Sequence, residues 1–97
     1  MPHRLSSGAA QDLIEIHAEG VELFGPRQAD AYIDRLEAVF EPLAATPGIA
    51  RERAELSPPV RAHPCGAHVV VFETEADGIL ILRVRHGHED WMGDPLG

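Results

Sequence analysis

The chain has 97 residues, 8 of them basic and 16 acidic, which gives a formal net charge of -8 with histidine neutral. Every basic residue is an arginine, and 44% of the chain is hydrophobic, so the composition is that of one folded domain over residues 1–97 and not of a disordered tail. The negative balance and the few aromatics (Phe24, Tyr32, Phe40, Phe72 and Trp91) argue against generic nucleic-acid binding, which uses a basic groove with stacking rings.

His3 to Leu5 suits a short first strand. Ser6 or Ser7 is placed to cap a helix, because its hydroxyl can accept from an orphan amide of the first turn. Leu13, Ile16, Gly20 and Leu23 or Phe24 then share one face of that helix. Asp12, Glu15, Glu19 and Glu22 fall on the other side and read as a solvated face. Gly25-Pro26 ends this helix and starts the next. In the second helix Ala29, Tyr32, Ile33, Leu36, Val39, Phe40 and Leu43 recur at three and four residues, one continuous apolar stripe. Asp30, Asp34, Arg35, Glu37 and Glu41 face outward. Pro42 removes a helix hydrogen bond and is expected to kink or end the last turn, before Pro47-Gly48 stops the helix. The connection is short, so the two helices form an antiparallel hairpin.

The period then changes. Residues 49–59 are polar, end in Pro58-Pro59 and read as a loop. Val60 to His63 suits a short strand, and Ala67 to Thr74 a longer one. Glu75-Ala76-Asp77-Gly78 reads as a hairpin turn, with Asp77-Gly78 at its positive-φ positions. Ile79 to Val84 is apolar on both faces, which places that strand centrally. The expected fold is α+β: a short N-terminal strand and an antiparallel helical hairpin packed on a small antiparallel β-meander.

Cys65 is alone, so the sequence offers no intramolecular disulfide and fits a reducing compartment. The apolar runs 69–72 and 79–82 are far shorter than the ~20 residues that span a bilayer. Met1-Pro2-His3-Arg4 leads into Ser6-Ser7-Gly8 with no secretory pattern, so a cytoplasmic location away from membranes is expected.

His63, Cys65 and His68 bracket one turn, and His86 and His88 follow the last strand. These are zinc-type ligands, but His-x-Cys-x2-His is not a standard zinc spacing. Histidines hydrogen-bonded at strand ends are the preferred reading, and neither a metal nor a cofactor is assigned. Arg61, Arg83 and Arg85 lie on the sheet, where Arg83 and Arg85 share a face. Such guanidinium groups suit a phosphate or a carboxylate, and a ribonuclease would set them beside a general base such as His86 or Glu73. The competing reading is arginines that cross apolar surface and pair with the many carboxylates. Trp91 either docks on the core and ties down the tail or serves as an exposed anchor, and docking is preferred.

Several stretches together resemble a known family. They are Arg4-Leu5-Ser6, Ala10-x-Asp12-Leu13-x-x-Ile16, Phe24-Gly25-x-x-Gln28-Ala29-x-x-Tyr32, Leu43-Ala44-x-x-Pro47, the run Arg61 to Phe72 through Gly66 and His68, and Ile81 through Trp91. This pattern resembles the ParE-type toxins of the RelE/ParE superfamily. The resemblance implies the toxin of a type II toxin–antitoxin pair that inhibits DNA gyrase by binding protein, without being an enzyme. It also implies a ParD-like antitoxin laid over the helical hairpin and sheet. Leu13, Ile16, Tyr32, Leu36 and Phe40 are the expected antitoxin contacts, and Arg83, Arg85, His86 and Trp91 the expected target contacts. The alternative is a messenger-RNA endoribonuclease of the RelE branch, for which only Arg61, Arg83 and His86 fall at comparable places; Tyr32, in the second helix, is not expected to serve. A third is an inactive remnant that still binds its antitoxin. Toxins of the family are commonly basic, so a charge of -8 points to an antitoxin segment less acidic than usual.

Overall fold

The computed structural model describes residues 2–55, 59–88, 91–93 and 95–96. The elements run β1 (His3–Leu5), α1 (Ser7–Phe24), α2 (Pro26–Glu37), α3 (Phe40–Ala45), a 3₁₀ turn (Pro47–Ile49), β2 (Glu52–Arg53), β3 (Val60–Cys65), β4 (His68–Glu75) and β5 (Gly78–His86). One five-stranded sheet has the order β1-β5-β4-β3-β2. The β3–β4 and β4–β5 pairs form the expected antiparallel meander. β1 joins it parallel to β5 through His3–Ile79, Arg4–Leu80 and Leu5–Ile81, which makes β5 central over that half. Among the described residues no helix is long and apolar enough to cross a membrane.

Ser6 is the cap. Its hydroxyl accepts from Ala9 N–H at 3.0 Å and donates to Leu82 O at 2.7 Å, so one side chain closes the helix and fixes it to the sheet. Gly25 takes φ +89, a left-handed value that a side chain would resist, and Pro26 starts α2 directly after it.

Three expectations need correction. The second helix is not continuous to Leu43: it stops at Glu37 and restarts at Phe40. Pro42 cannot donate to the Ala38 carbonyl, so the break falls one turn before the proline. Within residues 49–59 lie the end of the 3₁₀ turn and the two-residue strand β2, paired with β3 at Arg61 and Val60; Pro58 lies outside the described residues, as do Glu89 and Asp90. Asp77 and Gly78 do not take positive φ. Gly78 is needed because the Pro2 carbonyl crosses where a Cβ would stand.

The core lies between the sheet and the helices, with Leu13, Leu36, Phe40, Leu43, Val70, Phe72, Ile79, Ile81 and Val84 buried there. Val60, Val69, Val71 and Trp91 form a smaller apolar layer, with Leu82 packed against it. A bulge explains how β5 serves both. Val71 pairs with Arg83 but Phe72 with Ile81, so Leu82 is an extra residue. The slip turns Val84 toward the helices, as Ile79 and Ile81 are, and keeps Arg83 out of the core.

Candidate functional site

The most distinctive polar structure joins α1 to the second half of β5. β1 pairs with β5 only through Ile81, which leaves the rest of that edge to be covered by α1. Asp12 is 6% exposed and does the covering. Its carboxylate accepts from Arg83 Nε at 2.6 Å and Arg83 Nη2 at 2.8 Å, a bidentate pair. It also accepts from Val84 N–H at 2.9 Å, the place a neighbouring strand's carbonyl would take. Arg83 Nη1 donates onward to Leu96 O at 2.8 Å, which fastens the C-terminal tail. Asp12 is therefore not part of the solvated face.

Beyond this pair the wall of α1 and the end of β5 diverge. They leave an open groove of about 290 Å³, with Glu15, Ile16 and Glu19 on one side and His68, Arg85 and His86 on the other. The histidines form an array. Rings of His68 and His86 are 5.1 Å apart, as are those of His86 and His88. His88 N–H donates to His86 Nδ1 at 3.2 Å. Tyr32 reaches this array from α2: its hydroxyl accepts from Ala67 N–H at 3.0 Å and shares a 2.6 Å hydrogen bond with His68 Nδ1. The tight turn makes room for it. Gly66 has φ +60, and a Cβ there would stand 2.7 Å from the Tyr32 oxygen.

Of the residues singled out from the sequence, Arg83, Arg85 and His86 gather at this groove. Arg83 and Arg85 share a face, paired with Val71 and Val69. Arg61 lies elsewhere, donating to Ala50 O at 2.7 Å, with Glu52 3.8 Å away. Trp91 is 9% exposed and docked beside Val60, Val69 and Val71, with the Arg53 guanidinium 5.9 Å from its ring centre. Its ring is part of the packing, not an open anchor. Cys65 is also buried in the core, with Sγ 3.9 Å from Arg35 O. Among the described residues no three His, Cys, Asp or Glu side chains converge as a metal would require.

The expected antitoxin contacts differ in exposure. Leu13, Leu36 and Phe40 are buried in the core between the helices and the sheet. Ile16 and Tyr32 are half-buried. The large apolar side chains left open on the hairpin are instead Ile14, at 62% exposed, and Leu23 and Phe24, both at 63%.

Residues 4–91 match the family model described as ParE toxin of type II toxin-antitoxin system, parDE. The chain belongs to the ParE toxin family. A relative, Toxin ParE1 of Caulobacter vibrioides, is 33% identical over 85 residues, which cover 88% of each chain. Toxin ParE3 of the same organism is 30% identical over 76 residues, 78% of this chain and 76% of its own length. Toxin ParE1 of Mycobacterium tuberculosis is 30% identical over 87 residues, 89% of each. A structure described as the chromosomal ParDE TA system from P. aeruginosa aligns with a TM-score of 0.77 at 25% identity. That alignment covers 89% of this chain and 95% of the other. The ParE fold and its element order are thus those read from the sequence: a strand, a helical hairpin and a meander.

Proposed function

We propose that this ParE-family chain inhibits DNA gyrase by binding it, without being an enzyme, and that a ParD-like antitoxin neutralises it. One observation carries the choice of protein binding over RNA cleavage: the groups a ribonuclease would use are dispersed. Arg61 stands opposite Phe72, and His86 stands opposite His68. Those positions lie four residues apart on β4, about 13 Å at the ~3.3 Å rise of a strand. Arg83 is already committed to Asp12 and the tail. A general base and a cation on one phosphate need far closer convergence.

What the sheet end offers is a polar surface held by rigid elements. Arg85 and His86 are the proposed target contacts. Arg83 positions the strand beneath them, and Trp91 fixes the tail that follows. The antitoxin is assigned to the hairpin, over Ile14, Leu23 and Phe24, with Ile16 and Tyr32 at the margin. Covering exposed apolar side chains would also stabilise the toxin by mass action. The place of action is the cytoplasm, where gyrase and its DNA are found.

The test is to purify the chain, assay gyrase supercoiling and messenger-RNA integrity side by side, and check co-purification with the product of the neighbouring small gene. Inhibited supercoiling with intact transcripts is the expected result. Cleaved transcripts would replace this reading with the endoribonuclease. Antitoxin binding with no effect in either assay would make the chain an inactive remnant.

A further inference from the structure

We infer that the outer face of α1 docks a basic segment of the antitoxin, with one arginine of that segment seated in the groove between α1 and the end of β5. The inference rests on the reading that an antitoxin binds this chain at all. Two parallel rows on α1 specify the occupant. Glu15, Glu19 and Glu22 stand four and three residues apart and share one face. Ile14, Ala18 and Val21 repeat the same spacing one position earlier, so an apolar row runs beside the acidic one. Ile14, Ala18 and all three glutamates are exposed. A segment that lies along both rows must carry apolar side chains for one and positive charge for the other.

The groove sharpens the chemistry. At about 290 Å³ and open to solvent, it falls just below the ~300–1,000 Å³ typical of small-molecule sites, so it suits one inserted side chain. Its walls carry Asp12, Glu15 and Glu19 against Arg83 and Arg85. Asp12 and Arg83 neutralise each other through their bidentate pair. The two glutamates then leave the α1 wall of the groove negative, and a cation from the partner answers that charge. Guanidinium is the better fit, since its planar fork can engage both glutamates one turn apart, whereas an ammonium is a point charge.

The wider balance has the same sign. On α2 the exposed Asp30, Asp34 and Glu37 outnumber the exposed Arg27 and Arg35, and the whole chain stands at -8. An acidic segment would be repelled on approach and a basic one drawn in.

The test uses the intact toxin and the full-length product of the neighbouring gene. Affinity is measured at low and high salt for the parent and for the double variant Glu15→Gln, Glu19→Gln. Both substitutions are isosteric, exposed and good helix formers, and a thermal melt checks that the fold is unchanged. The expected result is roughly tenfold weaker binding by the double variant, with a flatter salt dependence. Glu55→Gln, a surface charge after β2, should leave affinity and salt slope unchanged. Equal affinity and equal salt slope for the parent and the double variant would overturn this inference and leave the proposed function standing. Retained antitoxin binding with lost gyrase inhibition would assign the groove to the target instead. If the parent does not bind the neighbouring product, the antitoxin reading and this inference both fall.

Discussion

The inner and outer rows of α1 carry the same chemical group to opposite ends. Asp12 and Glu15 are three residues apart on one helix. Asp12 is buried against the edge of β5, where it answers Arg83 and the Val84 amide. Glu15 is exposed, accepts a 3.3 Å hydrogen bond from Gln11 and, like Glu19, is engaged by no arginine among the described residues. The difference shows that the count of carboxylates says little about this molecule. One carboxylate takes the place of a missing strand, and its neighbours leave charge on the surface.

The strongest way to break the comparison is Asp12→Ala. It strands a mostly buried guanidinium and an edge amide together. Removing one partner of a buried pair costs ~3–5 kcal/mol, and the partial exposure of Arg83 places this case near the lower end, about 3 kcal/mol. Urea denaturation should show that loss as a lower midpoint. A loss of stability under about 0.5 kcal/mol, the spread of neutral surface changes, would mean that Asp12 does not hold the edge.

The outer row is expected to behave in reverse. Ile14→Ser removes an exposed side chain and should change stability by less than about 0.5 kcal/mol. Its effect belongs to binding, and the affinity for the antitoxin should fall. If Ile14→Ser instead lowers the denaturation midpoint as much as Asp12→Ala, the outer face is packed against something within the chain.

The legibility of these rows differs for a physical reason. Periodicity reports which side of a helix is apolar, and it puts Leu13 on the apolar face of the first helix and Leu36 and Phe40 on that of the second. It does not report how much of each face the sheet covers, so it cannot divide these residues between the core and a partner. Asp12 sits where the two faces of α1 meet, three residues before Glu15, and its spacing matches the acidic row. Its partner is 71 residues away in sequence, and only the fold brings them together. The double-sided pattern of β5 was visible, yet the Leu82 bulge that reconciles Arg83 with Val84 was not. That slip is a relation between two strands, absent from either alone. Sequence alone gives Tyr32 no part at the sheet end because it lies in the second helix; a helix residue there becomes visible only when Gly66 opens the turn to it.

Glu75 supplies the intermediate case, paired but at the surface. Arg4 Nε donates to its Oε2 at 3.1 Å, and Arg4 Nη2 contacts the other oxygen, across the β1–β5 end of the sheet. That hydrogen bond, with the charge of Arg4 behind it, holds the Glu75 carboxyl below the usual carboxylate range. A group whose folded pKa is depressed contributes stability above its unfolded value, about 4.3 for glutamate, and loses it as pH falls through the lower folded value. The stability difference between the parent and Arg4→Gln should therefore be constant above about pH 5 and shrink toward zero in acid. Denaturation midpoints measured down that range test it. The effect is the smallest of the three, because solvent screens an exposed pair that burial would strengthen. A difference that grew as the pH fell would reverse the sign, and would mean that Arg4 stabilises the protonated form of its neighbour or acts through another group. A difference that shrank but stayed finite at the acid end would separate what the Arg4 stem contributes by packing from what its charge contributes through Glu75.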